Sequence, residues 1–173
     1  GEGWGSDEFN AAIAVLEEHV TSGQIFGIKG NEYMQDFVSG DALAAIAWSG
    51  DITVLNAEAG YEKWKFALPD SGGTLWGDTF VVPMGSPRKA NAEALMNYYY
   101  EPEVAAEVAA WVNYITPVEG AQAVAAELFP EYAEDQLIFP NEQTLSQAHI
   151  FRTLDSADDQ EFNAEFQRVK LGA

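Results

Sequence analysis

Residues 40–51 read GDALAAIAWSGD. Six apolar residues, Leu43 to Trp48, stand between the turn-forming pairs Gly40-Asp41 and Ser49-Gly50. A short unbroken apolar run with such borders predicts a buried strand of a parallel or mixed sheet, covered on both faces. Ser49 then opens a helix. A strand that hands over at once to a helix is the repeating unit of an α/β fold.

The same alternation runs to either side. Upstream, Phe9, Ala12, Ile13, Leu16 and Val20 recur at helical spacing with Glu8, Glu17 and Glu18 between them, which predicts an amphipathic helix over Asp7–Val20, capped by Ser6-Asp7 and ended by Gly23. A short helix is predicted over Tyr33–Val38. Downstream, Lys63–Leu68 alternates and stops at Pro69, and Thr79–Val82 is β-branched and stops at Pro83, so both read as strands, with a turn at Pro69–Gly73 between them. Helices follow at about 88–100, 102–113, 119–128, 142–148 and 158–169, the second with Pro102 in the permitted first turn. Tyr114 to Pro117 is extended.

Composition narrows the function. The chain of 173 residues is 47% hydrophobic, with 5 Trp, 7 Tyr and 10 Phe, enough to bury a core. It carries 28 acidic against 8 basic residues, a formal net charge of -20. That field repels phosphate backbones and favours a cationic partner, so nucleic acid is not an expected ligand. The bland alternative for scattered acids is solubility or salty surroundings. With no cysteine there are no disulfides, thiolate metal sites or cysteine nucleophile.

Two tryptophans sit where a predicted strand gives way to a turn or helix: Trp48, and Trp76 in GGTLWGDTFVVP with Asp78 two residues on. Ligands of open α/β sheets bind beyond the carboxyl ends of strands, which makes Trp48 a site candidate by position, and a second such tryptophan, each flanked by a glycine and a carboxylate, adds weight. Core packing is the plain alternative. An indole face attracts an ammonium group and a carboxylate such as Asp78 adds a charge-assisted hydrogen bond, so the pattern suits an aliphatic amine. Asp51 is the weaker carboxylate, since an acid in a first helical turn also simply complements the helix dipole. Of Tyr98-Tyr99-Tyr100, which point different ways on a helix, one or two belong to the core. Arg152 pairs with a nearby acid or orients an acidic site residue.

Enzyme signatures are missing from the sequence: it holds no GxSxG elbow, no GxxxxGK[ST] loop and no GxGxxG after a strand. His19 and His149 lack a second histidine or cysteine at ligand spacing, so no metal and no cofactor is expected. Paired carboxylates remain as a chance acid–base couple among many acids.

Taken together, AIAWSGD, GGTLWGDTFVVPMGSPRKANAEALMNYYYEPEVAAEVAAWVNYITPVEGAQ and LIFPNEQTL resemble the spermidine/putrescine-binding proteins of ABC importers, in order and spacing across nearly the whole chain. The resemblance implies a periplasmic-binding-protein-like fold of type II, two lobes closing on a polyamine like a hinged clamp. It implies that Trp48 stacks on the amine chain, that Trp76 and Asp78 form the family's W-x-D word, and that Tyr114 of NYITP is the tyrosine of the Y-x-T-P segment facing the cleft. Arg152 falls near where some members carry a glutamine at the ligand; an arginine there repels an amine unless an acid pairs with it.

Members run to roughly twice this length, and the chain resembles their C-terminal half. On that resemblance residues 1–68 are a second-lobe portion, 69–75 a crossing, 76–114 a first-lobe portion, 115–118 a second crossing and 119–173 the second lobe's C-terminal helices. The expected partners are a polyamine, the ABC permease subunits, and either the missing N-terminal half or another copy through uncovered surfaces. The expected location is periplasmic or extracellular and membrane-anchored, the signal or lipid anchor lying outside this chain. The alternatives are a binding protein for another cationic or small solute, and an α/β carboxylate-dependent hydrolase.

Overall fold

A computed structural model of the chain describes residues 3–172, which fall into two compact units, 3–45 with 149–172 and 46–148.

The first unit is built on α1 (Ser6–Thr21), α2 (Tyr33–Ser39) and α9 (Ser156–Leu171). The predicted amphipathic helix is α1, but its cap is Gly5 rather than Ser6-Asp7: the Gly5 N–H donates to Glu8 Oε2 at 2.7 Å. Helix α9 begins earlier than its apolar spacing suggests because the Asp155 side chain accepts from the N–H groups of Ala157 and Asp158, at 2.8 and 2.9 Å. The two long helices pack together with Ile13, Phe162 and Val169 buried, and Phe9 stacks on Phe162 with ring centroids 4.0 Å apart. Helix α2 is tied back by Lys29, whose Nζ lies 2.6 Å from Asp36 Oδ2.

The second unit contains α3 (Ser49–Ala59), β1 (Gly73–Leu75), α4 (Lys89–Tyr99), α5 (Pro102–Val112), α6 (Ala121–Leu128), α7 (Pro130–Ala133) and α8 (Glu142–Ser146). Strand β2 (Ala148–Ile150) straddles the border between the units. The core of the second unit is made of small residues: Ala105, Ala106 and Ala109 on α5, Ala121 and Ala125 on α6 and Ala133 on α7 surround Ile138 and Phe139. Alanines at the contact let backbones approach closely, and Gln122 Nε2 donates to the Ala133 carbonyl at 2.9 Å across it.

The helices of the α/β reading are present and its strands are not. Leu43 to Trp48 is irregular, and Leu43 and Ile46 are 95% and 104% exposed, so this is no buried strand. Thr79–Val82 is likewise irregular, with Phe80 and Val81 exposed. A strand exists only by pairing its backbone with a neighbour, and among the described residues the strands are limited to the three-residue β1 and β2. In Lys63–Leu68 a side chain takes the neighbour's place. Asn56 Oδ1 accepts from the N–H groups of Lys63 and Trp64, both at 2.9 Å, and Asn56 Nδ2 donates to the Trp64 carbonyl at 2.9 Å. The turn at Pro69 is as predicted, closed by Gly72 N–H to Pro69 O at 2.8 Å.

Candidate functional site

Trp48 caps α3 in an extended conformation, Trp76 follows β1 directly, and Tyr114 lies two residues past α5. These three segments bring their rings into one cluster inside the second unit. Trp76 stands in the middle, its centroid 5.1 Å from Trp48 and 5.6 Å from Tyr114, both contacts edge-on at about 70°. Such pairs contribute about 0.5–1.5 kcal/mol beyond their burial. Trp48 is 44% and Trp76 39% exposed, so neither indole is sealed in the interior.

Backbone conformation aims Tyr114. Helix α5 ends at Asn113, which adopts the left-handed conformation at φ 60 while its N–H donates to Ala109 O at 2.9 Å. The chain then turns toward the first turn of α3, where Gly50 is buried and has no side chain to obstruct it. A Cβ at residue 50 would stand 2.9 Å from Cε2 and Cζ of Tyr114 and from the Asn113 carbonyl oxygen. The Asp51 carboxylate stands close enough to this ring for its charge to act on the phenol. Burial first, then the negative charge of Asp51, push the phenol above its ordinary value.

Trp76, Asp78 and Tyr114 line a cavity of about 1090 Å3, together with Phe80, Tyr99 and Glu119. Asp78 is exposed at its wall. Phe80 and Tyr99 form a second ring pair there, 5.1 Å apart. Neither stood out in the sequence, because Phe80 lay in a predicted strand and Tyr99 within a run of tyrosines. Of that run Tyr98 and Tyr100 are exposed and Tyr99 alone is half-buried, so the helix commits one ring inward, not two.

A smaller cavity of about 370 Å3 in the same unit is lined by Asn56, Glu62, Trp64, Lys65 and Asp135. Its indole is already occupied, since Lys63 Nζ stands 4.2 Å from the Trp64 ring. The larger cavity therefore holds the aromatic faces able to receive a cation from outside.

Arg152 belongs to the first unit. Its guanidinium lies over the Trp4 ring at 4.3 Å and pairs with Asp158 at 3.5 Å. Of the five residues singled out, Trp48, Trp76 and Tyr114 are drawn into one cluster, Asp78 shares its cavity, and Arg152 is engaged by an acid and a ring of its own unit.

Comparison with known proteins places these features in context. The family described as bacterial extracellular solute-binding protein matches residues 1–140. The spermidine/putrescine-binding periplasmic protein of Salmonella typhimurium is 30% identical over 142 residues, 82% of this chain and 38% of that protein. The putrescine-binding periplasmic protein of Escherichia coli is 25% identical over 146 residues, 82% of this chain and 39% of that protein. A norspermidine sensor of Vibrio cholerae is 31% identical over 106 residues, 61% of this chain and 29% of that protein. The chain spans well under half the length of these relatives.

Proposed function

The chain belongs to the bacterial extracellular solute-binding proteins, and from that premise we propose that it forms part of the extracytoplasmic polyamine-binding component of an ABC import system. Its fold is then that of the periplasmic binding proteins, with crossings between two lobes at 69–75 and 115–118. The observation that carries the reading is the Trp48–Trp76–Tyr114 cluster beside the cavity that Asp78 lines. Rings supply faces for the methylenes and the quadrupole for an ammonium, and the carboxylate supplies the counter-charge. A net charge of -20 raises the local concentration of any polycation near the surface.

Nothing in this mechanism needs bond making. The amine exchanges water for Asp78 and the rings, and a ligand held from both lobes favours the closed over the open form by its difference in affinity for the two. The closed complex is what a permease recognises. Arg152, already paired with Asp158, is compatible with a cationic ligand because its charge is compensated. The names of the relatives, all polyamine binders or sensors, support a binding role without turnover and a periplasmic setting. Among the described residues no helix is long and apolar enough to cross a membrane. The exposed apolar run at Leu43–Ile46 is suited to strand pairing with another segment of polypeptide, either an N-terminal half or another copy.

The test is thermal stability in the presence of spermidine, putrescine, arginine and a neutral sugar. A ligand bound only to the native state stabilises it by about 2.7 kcal/mol at a hundred times its Kd. The proposal expects a dose-dependent rise in Tm with the two polyamines and none with the sugar. Equal response to the sugar, or none to either polyamine up to millimolar concentration, overturns it.

A further inference from the structure

The segment that follows β1 runs from Trp76 to Phe80 without a turn or bend, and a cluster of rings sits at each end of it. Trp76 joins Trp48 and Tyr114. Phe80 joins Tyr99, edge-on at 5.1 Å, and Tyr99 lies 6.1 Å from Tyr100, which ends α4. Asp78 is midway along the segment. Trp76 and Tyr114 of the first cluster, all three rings of the second, and Asp78 line the same cavity of about 1090 Å3, whose other carboxylate is Glu119. Phe80 is 51% and Tyr100 53% exposed, so the second cluster is not spent on a core. The amine-binding reading employs the first cluster and Asp78 and leaves the second without a task.

We infer that the Phe80–Tyr99–Tyr100 cluster is a second aromatic subsite, which takes the far arm of a triamine whose middle nitrogen rests at Asp78. Four residues of straight chain span about 13 Å at the Cα atoms. An extended four-carbon diamine is too short to bridge the two clusters, whereas a triamine of spermidine's length reaches both. In that pose the central charge meets the carboxylate in a charge-assisted hydrogen bond, and the terminal ammonium groups lie against ring faces on either side. Indole is the strongest of the aromatic faces for a cation, so a diamine settles between Asp78 and the Trp76 cluster and leaves the second one empty. The second cluster therefore discriminates by chain length, since it stabilises the longer ligand and not the shorter. This subsite rests on the amine-binding reading of the same cavity.

Titration calorimetry of the 173-residue chain with spermidine and with putrescine tests it, using Phe80→Leu, Tyr100→Leu and, as the reference for the first cluster, Trp76→Ala. Leucine keeps apolar volume and removes the ring face; far-UV circular dichroism checks that helicity is kept. The parent should hold spermidine more tightly than putrescine. Phe80→Leu and Tyr100→Leu should each narrow that advantage by about threefold or more, the worth of one modest cation–π contact. Trp76→Ala, at the cluster both ligands share, should weaken the two amines together.

An advantage that stays at the parent's level in both leucine variants overturns the second subsite and leaves the amine-binding reading standing. A parent that binds the two amines equally does the same. If neither amine binds the parent chain, the amine-binding reading itself falls and the subsite with it. Should Phe80→Leu fail to fold, Tyr100→Leu carries the comparison, because it changes a side chain that is exposed at the end of α4.

Discussion

Arg168 on α9 reaches Glu17 on α1 with both ends of its fork: Nη1 lies 2.6 Å from Oε1 and Nη2 3.1 Å from Oε2, while Nε holds Glu165 at 3.0 Å. The pair closes the same helix contact that Phe9 and Phe162 fill with stacked rings. Arg168 holds the Glu17 carboxyl below its ordinary value, and the two glutamates raise Arg168 in turn.

The sign of the pH dependence follows. A carboxyl whose folded value is depressed contributes stability that is present above its unfolded value, about 4.3–4.5, and is lost as pH falls through the folded one. Arg168 stays charged throughout, so Glu17 sets the window. The Tm difference between the parent and Arg168→Gln should be small, about 2–4 °C at pH 7 for a partly exposed pair, and should close as pH falls from 5 to about 3. A difference that persists at the low end would assign the stabilisation to the packing of the arginine stem.

Trp76 is the ring that both other cluster members touch, so Trp76→Ala should weaken polyamine binding by at least about tenfold, and Asp78→Asn by a similar factor, since one cation–π contact or charge-assisted hydrogen bond is worth about 1–2 kcal/mol. Titration calorimetry gives both numbers. Parent affinity in both variants would remove these residues from the site.

Gly50→Ala tests the close approach of α3 to Tyr114. The added Cβ meets a ring and a backbone oxygen at 2.9 Å, an overpacked contact that costs about 1–3 kcal/mol. Urea unfolding should show a lower midpoint, and the tyrosinate step of Tyr114 should move, because the ring must leave its place beside Asp51. An alanine tolerated without either change would mean that the two segments separate at little cost.

Salt should act in opposite directions on stability and binding. With a net charge of -20 the compact state repels itself, and shortening the Debye length from about 10 Å at 0.1 M to about 3 Å at 1 M relieves that repulsion. The Tm of the chain should rise over this range while its affinity for a polycation falls. A Tm that drops with sodium chloride would show that ion pairs such as Glu17–Arg168 outweigh the general repulsion.

The helices were legible in the sequence because their causes are local. Apolar spacing announced α1, Pro102 announced α5, and Ser49 after a turn-bounded run announced α3. The strands were misread for the converse reason. Leu43–Trp48 has the composition of a buried strand, but composition does not supply a neighbouring backbone, and Lys63 and Trp64 satisfy theirs on the Asn56 side chain. In the candidate site, residue types pointed to Trp48, Trp76 and Asp78, and the family resemblance to Tyr114. Phe80 and Tyr99 were hidden by the strand and the tyrosine run in which they stood.

The order of amino acids alone was enough to establish the helical segments, the overwhelming negative charge and the likeness to polyamine-binding proteins, because each depends on residues near one another or on simple totals. Only the tertiary structure decided that Trp48, Trp76 and Tyr114 share one cluster and that the bare Cα of Gly50 admits the Tyr114 ring. Those are contacts between segments more than sixty positions apart at the extreme, from α3 to the residue pair after α5. Their geometry depends on how α5 ends and where the chain turns at Asn113, which no spacing within either segment encodes.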